Sequence, residues 1–433
     1  MQRKDLMTRK IFPTARRLKL GLALALAASC LAPNAFAQKK MKIFGFYPDF
    51  DLTPMLTNAQ LDLLTHVIYF SIMMPADGNL TDTYVTTVPT SGQKPGVNGQ
   101  KLIDVRDRAQ TRGVKVLLGV GGAERSDNIG TVAGNANLRA KFASSAATFC
   151  TSNGLAGVDI DWESPYSPPG GAQGNLASLV QEISSAFKPK GLIVTISVNG
   201  EAAAAYGSAA MNAADNVLIM AYDNGDPSYN QAVSEMGTFG SMAGSKSKLV
   251  LGVPFYGRTG GATMTYSDMY KANPSLGAGT NNYQGYMFNG PDLLSQKAGY
   301  VVDQSAGGMM IWQVSQDAVT TQTAGGILLS AMNKGFTNKG ATLDKVVPIS
   351  IVAPNRAGRI ARDRESGYLA SRTLTLAPGG YRLSVVSPDG RSVRFVTEPG
   401  QSGNSVAKLA GTASGRYLYR LQAEPGALAD PAE

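Results

Sequence analysis

Eight short runs of apolar and aromatic residues recur between residues 41 and 314: MKIFGFY, HVIYFSI, VKVLLGVGG, GVDIDWE, GLIVTISVN, VLIMAYD, KLVLGVPFY and GGMMIWQV. Runs this continuously apolar suit strands covered on both faces. Most are followed by an amphipathic or alanine-rich segment of helical length: TNAQLDLLTH, GQKLIDVRDRAQTRG, NANLRAKFASSAATFCTSNG, NLASLVQEISSAF and, after the last strand, QDAVTTQTAGGILLSAMNKG. Strands and helices in alternation make parallel β-α units. Eight units in roughly 300 residues predict an α/β protein of the closed (β/α)8 TIM-barrel type rather than an open sheet. The absence of a GxGxxG loop after the first run also argues against a dinucleotide fold.

After residue 345 the pattern changes. PNRAGRIARDRESG reads as a linker, and TLTLAPGGYRLSVVSPDGRSVRFV alternates apolar and polar positions around PGG and PDG, a hairpin signature. Residues 346–433 hold ten arginines and one lysine, Lys408, against six arginines in 38–345. The sequence thus divides into a barrel over 38–345 and a linker with a small C-terminal all-β domain over 346–433.

One run breaks the apolar rule. GVDIDWE, residues 157–163, sets Asp159, Asp161 and Glu163 on one face, with Val158, Ile160 and Trp162 on the other. On an isolated amphipathic strand the acids would face water. Inside a barrel the apolar face meets the helices, so the acids must point inward, where unpaired charge is costly. Glu163 closes the run at the C-terminal rim, where barrels of this type carry their chemistry. Trp162, on the helix side, reads as structural.

Of 433 residues, 43% are hydrophobic, enough to bury a sizeable core. Residues 1–37 read as a secretory signal: seven Lys or Arg up to Lys19, the apolar run LGLALALAASCLA, and AFA before Gln38. Secretion, extracellular or periplasmic, follows from that reading, with a lipid-anchored form through Cys30 of AASC as the alternative. The run from Leu20 to Ala32 is too short to span a membrane, and no later stretch qualifies. The formal charge of +9 is concentrated at the ends; residues 38–345 hold 22 basic and 23 acidic groups, which calls for no nucleic-acid partner. Past the signal, Cys150 is the only cysteine, which reads as core and excludes an internal disulfide. His66, the only histidine, excludes a multi-histidine metal site and is a poor basis for a Ser-His-Asp triad. The expected chemistry therefore belongs to carboxylates, tyrosines or lysines; no metal or cofactor is called for, and a monomer is expected.

Five ordered motifs narrow this further. AGVDIDWE at 156–163 matches all but the first position of DGxDxDxE, and GVGG at 119–122 is similar to SxGG. MAYD at 220–223 matches MxYD, PFYGR spans 254–258, and GGMMIWQVSQD spans 307–317. Over residues 41 to about 335 the chain resembles the family 18 glycoside hydrolases, the chitinase family. Two departures stand out. Ala156 replaces the first motif aspartate, which in relatives hydrogen-bonds the next acid. Few residues separate PFYGR from GGMMIW, fewer than in relatives with a full α+β insertion, so a shallow, open groove is expected.

The resemblance implies hydrolysis of chitin or other N-acetylglucosamine oligosaccharides, with the substrate's own 2-acetamido oxygen as nucleophile. It makes Glu163 the acid and base, Asp161 the partner of the acetamido N–H, and Asp159 the residue sharing a proton with Asp161. Tyr222 would hold the acetamido carbonyl, Asp223 and Met220 would line the same subsite, and Trp312 would be the apolar floor of subsite −1. Tyr256, Arg258 and Tyr47 are further substrate-binding candidates. Two other readings stay open: an endo-β-N-acetylglucosaminidase cutting N-glycan chitobiose cores, and a chitin-binding, lectin-like protein. The C-terminal region reads as a carbohydrate-binding, structural or secretion-sorting domain; it contains no tryptophan.

Overall fold

The computed structural model describes residues 38–49, 55–82, 99–164, 167–223 and 227–345 in full, and the backbone of six short strands after residue 349. The signal segment and Cys30 lie outside the described residues.

Eight parallel strands close into a barrel: β1 (Lys40–Pro48), β2 (His66–Ile72), β3 (Lys115–Gly121), β4 (Gly157–Asp161), β5 (Ile193–Asn199), β6 (Asn216–Met220), β7 (Leu249–Pro254) and β12 (Gly308–Trp312). β12 pairs with β1 to complete the ring, with Phe44 opposite Met310. A short ninth strand, β13 (Thr342–Leu343), pairs in parallel with Lys40 and Met41 at the start of β1. The eight sequence runs and the eight strands coincide.

Alternation along each strand splits the apolar side chains into two groups. Phe44, Phe46, Ile68, Phe70, Leu117, Leu218, Val250 and Met310 fill the barrel interior. Their odd-even neighbours, such as Ile43, Val67, Val116, Val158, Ile196, Ile219, Leu251 and Met309, face the helices. The interior is a packed core whose upper layer gives way to polar groups: Asp159 and Asp161 of β4 and Thr195 and Ser197 of β5, all buried.

The helical layer contains α1 (Asn58–Asp62), α2 (Gly99–Thr111), α3 (Ile129–Gly134), α4 (Ala136–Ser152), α5 (Gln173–Phe187), α6 (Ala203–Ala213) and α7 (Tyr229–Gly240). After β7 come α8 (Tyr266–Ala272) and α9 (Pro291–Asp303), and α10 (Ile327–Asn338) follows β12. Cys150 is buried on α4, as the sequence indicated. His66 is buried at the start of β2, stacked on Phe44 with ring centroids 4.2 Å apart, far down the strand from the rim. Among the described residues no helix is long and apolar enough to cross a membrane.

Five helices, α3, α6, α7, α8 and α9, have no counterpart among the sequence candidates, and two further features differ. α10 begins at Ile327, eleven residues after Gln316, because its cap comes from a distance: the buried Asp317 carboxylate accepts from Leu328 N at 3.0 Å and Leu329 N at 2.9 Å. The segment between β7 and β12, short as it is, has regular structure for which no element was predicted. It folds into a four-stranded antiparallel sheet of β8 (Tyr256–Thr259), β9 (Ala262–Thr265), β10 (Asn282–Tyr283) and β11 (Tyr286–Met287), accompanied by α8. A compact α+β insertion is therefore present.

In the C-terminal region, β14 (Ser350–Ile351), β15 (Thr373–Leu376) and β18 (Ser405–Lys408) form one sheet, and β16 (Tyr381–Val386), β17 (Ser392–Val396) and β19 (Leu418–Ala423) another. The all-β character agrees with the sequence reading, and β16 and β17 form the hairpin expected around PDG. PGG joins strands of different sheets, because β15 pairs with β18. The linker PNRAGRIARDRESG lies outside the described residues.

Candidate active site

At the C-terminal end of the barrel a cavity of about 920 Å³ opens over the interior. Of the ten residues singled out in the sequence, seven line it: Asp161, Glu163, Met220, Tyr222, Asp223, Arg258 and Trp312. Asp159 lies beneath Asp161, and Tyr256 lies behind Asp223 and Arg258.

Tyr47 is not among them. Phe44 and Phe46 point into the barrel, so the next position along β1 points out, and Tyr47 is 0% exposed. Its hydroxyl approaches Met55 Sδ at 3.9 Å, with Lys101 Nζ 4.7 Å above the ring. Phe46 lines the cavity in its place.

Register places the acids. Asp159 sits between Gly119 and Thr195, and Asp161 between Gly121 and Ser197. A Cβ on Gly121, at φ +108°, would lie 2.0 Å from the Asp161 carbonyl oxygen, so only glycine permits β3 to approach this closely. The strand ends at Asp161, and Glu163 projects from the turn beyond it, half-buried.

The hydrogen bonding departs from the expected Asp159–Asp161 pair. Thr195 Oγ1 donates to Asp159 Oδ1 at 2.5 Å and Ser197 Oγ to Oδ2 at 2.9 Å, which occupies both oxygens. Asp161 instead shares a hydrogen bond with Glu163, and Asp161 Oδ1 is buried with no donor reaching it.

Burial dominates the titration of all three acids. Asp159 is pushed up to about 6, with its two hydroxyl donors pulling the other way. Asp161 is held well above the ordinary aspartate range by burial and by the charges of Glu163 and Asp159. Burial raises Glu163 to about 7; Asp223 adds to the rise, whereas hydrogen bonds from Asp161 and the Ala123 N–H oppose it. A carboxyl group near 7 can both give and take a proton at neutral pH.

The other side chains are braced. The Trp312 ring meets Phe70 at 5.1 Å and 83° and Phe46 at 5.5 Å and 62°, edge contacts that fix the cavity floor. Tyr222 OH reaches Met310 Sδ at 3.8 Å, and burial raises its phenol pKa. Asp223, at φ +70°, accepts from Tyr256 OH and pairs with Arg258 Nη1 at 2.8 Å. Tyr256 thus acts from behind the lining.

Sequence reasoning passed over several lining residues: Phe70, Ser71, Glu124, Arg125, Asn199 and Glu201. Arg125 pairs with the buried Asp49 at 3.2 Å and donates to Ser71 O, joining the ends of β1, β2 and β3. The charged pair Glu124 and Arg125, one residue beyond GVGG, was the signal for a rim position.

A (β/α)8 barrel with a hydrogen-bonded carboxyl pair, a tyrosine and a braced tryptophan at its mouth is equipped for acid–base catalysis. The chain belongs to glycosyl hydrolases family 18, whose sequence pattern matches residues 42–317. It is 27% identical over 346 residues to Chitinase A1 of Niallia circulans, a match covering 61% of this chain and 47% of that protein. It is 26% identical over 351 residues to Chitinase 1 of Aphanocladium album, covering 64% and 81%. The chain thus spans about half the length of the first relative and most of the second. A crystal structure of a chitinase from Bacteroides thetaiotaomicron shares the fold with a TM-score of 0.57, at 22% identity and over 71% of this chain and 99% of that one. The chitinase-like agglutinin of Robinia pseudoacacia shares it with a TM-score of 0.54, at 20% identity and over 67% and 99%.

Proposed function

We propose that this protein hydrolyses β-1,4 linkages between N-acetylglucosamine units of chitin or chitooligosaccharides by a retaining, substrate-assisted mechanism. The observation that carries the reading is Asp161: it lines the same cavity as Glu163 and Tyr222, and its Oδ1 is a buried carboxylate oxygen without a donor. An acetamido N–H is the kind of group that such an acceptor lacks.

In the proposed reaction Glu163 gives its proton to the glycosidic oxygen as the C1–O bond breaks. The acetamido carbonyl oxygen bonds to C1 on the opposite face, forming an oxazolinium ion. Asp161 accepts the acetamido N–H and balances the developing positive charge, while Tyr222 orients the carbonyl oxygen. The Glu163 carboxylate then removes a proton from water, which attacks C1 and reopens the ring. Trp312 offers an apolar face to the sugar in subsite −1, and Met220, Asp223 and Arg258 complete its wall.

Residues 38–345 are proposed as the catalytic domain and 346–433 as a linker with an accessory domain. Residues 1–37 are proposed to direct secretion. Because the acid must be protonated in the free enzyme, kcat/KM is expected to fall about tenfold per pH unit above about 7, the value to which Glu163 is raised. A pH–rate profile on a soluble chitin oligosaccharide checks this. Incubation of the purified protein with labelled chitin oligosaccharide and N-glycopeptide side by side tests the substrate. Cleavage of the first alone is expected; cleavage of the glycopeptide alone would favour the endo-β-N-acetylglucosaminidase reading, and binding of either without cleavage the lectin-like one.

A further inference from the structure

The acid of this site stands beyond the sheet that positions its neighbours. β4 stops at Asp161, so no ladder hydrogen bond holds the backbone of Glu163. Its N–H donates instead to Ser126 Oγ at 2.9 Å. Ser126, 4% exposed, donates in turn to Gly122 O at 2.8 Å, with Asp161 O at 3.2 Å as a second acceptor. Gly122 N donates to Asp161 O at 2.7 Å, and the Ala123 N–H reaches the Glu163 carboxylate. The turn after β3 therefore grips the acid strand on both sides of Trp162 and touches the carboxylate itself.

We propose that Ser126 is a positioning residue for Glu163, its hydroxyl accepting the Glu163 N–H so that the carboxyl meets the glycosidic oxygen. Trp162 pulls the chain outward, buried beside Gly130, and Ser126 holds the following residue inward. Without the hydroxyl the Glu163 N–H has no acceptor and the carboxyl loses its fixed distance from Ala123 N–H. The inference rests on the reading of Glu163 as the acid.

Its test compares Ser126→Ala, Ser126→Cys and Ser126→Thr in the full chain, with two readouts. The first is steady-state kinetics on a chitin oligosaccharide. We expect Ser126→Ala and Ser126→Cys to lower kcat about 10- to 100-fold, the scale of a small misplacement, with KM within about twofold. The second is the titration of the Glu163 carboxyl by carbon-13 NMR in the unliganded protein. The Ala123 N–H favours the charged form, so loosening it should raise the midpoint above about 7. The other groups facing Glu163 are unchanged by the substitution: Asp161 on β4, Tyr222 and Asp223 after β6, Tyr206 on α6, and Glu124 and Arg125 on the turn. Ser126→Thr should return both readouts toward the wild type. Unchanged kcat and midpoint in the folded Ala and Cys variants would overturn the proposal, as would an equal loss in Ser126→Thr. If the wild type cleaves no oligosaccharide, the proposed function falls, and the NMR titration still decides whether Ser126 positions Glu163.

Discussion

Glu163→Gln is expected to lower kcat on chitin oligosaccharides by at least about a thousandfold while leaving the fold and substrate binding in place. The amide keeps the size of the carboxyl but can neither protonate the leaving oxygen nor activate water, and each task is worth a factor of about 100 or more. The neighbours accommodate the change: Ser126 holds the Glu163 backbone, and Asp161 can donate its proton to the amide oxygen. Single-turnover kinetics together with a binding isotherm check the outcome. A variant that binds and still turns over at a tenth of the wild-type rate would remove Glu163 from the role of acid.

Asp161→Asn is expected to lower kcat by about a hundredfold to a thousandfold, the scale of a lost electrostatic contact to the transition state, with a much smaller change in KM. The neutral side chain cannot balance the oxazolinium charge. Stability should move the other way. The Asp161 pKa is raised on folding, so the native state binds this proton more tightly than the unfolded chain. Stability linked to it is present below the ordinary aspartate value and is lost as pH rises through the higher folded value. Asparagine carries no such penalty, so at pH 8 the variant should melt no lower than the wild type. Calorimetry and kinetics on the same preparation separate the two effects. Equal loss of activity and stability would mean that Asp161 is only structural.

The barrel was legible because its strands are buried on both faces, which leaves continuous apolar runs that need no tertiary knowledge to read. Some of the elements that were not legible have local causes. α6 lies in an alanine-rich stretch interrupted by Gly207 at φ +73°, and the two-residue strands β10 and β11 are too short to carry a period. The start of α10 depends on Asp317, a cap ten residues upstream that only the folded chain brings into place.

The acid trio was legible from its period of two. Its pairing was not, because Thr195 and Ser197 meet Asp159 across the β4–β5 register, which no single strand encodes. Yet VTISV carries a hint, two hydroxyls at alternate positions of an otherwise apolar strand. Parity also turns Tyr47 away from the cavity: with Phe44 and Phe46 facing inward, position 47 must face out.

The central claim is that the acetamido group of the substrate, with Asp161 and Glu163 beside it, supplies the nucleophile. Proton NMR of the first products released from a chitin oligosaccharide tests it most directly, because attack from within the sugar followed by water inverts C1 twice. The account predicts the β-anomer at early times, before mutarotation. The α-anomer appearing first would contradict it.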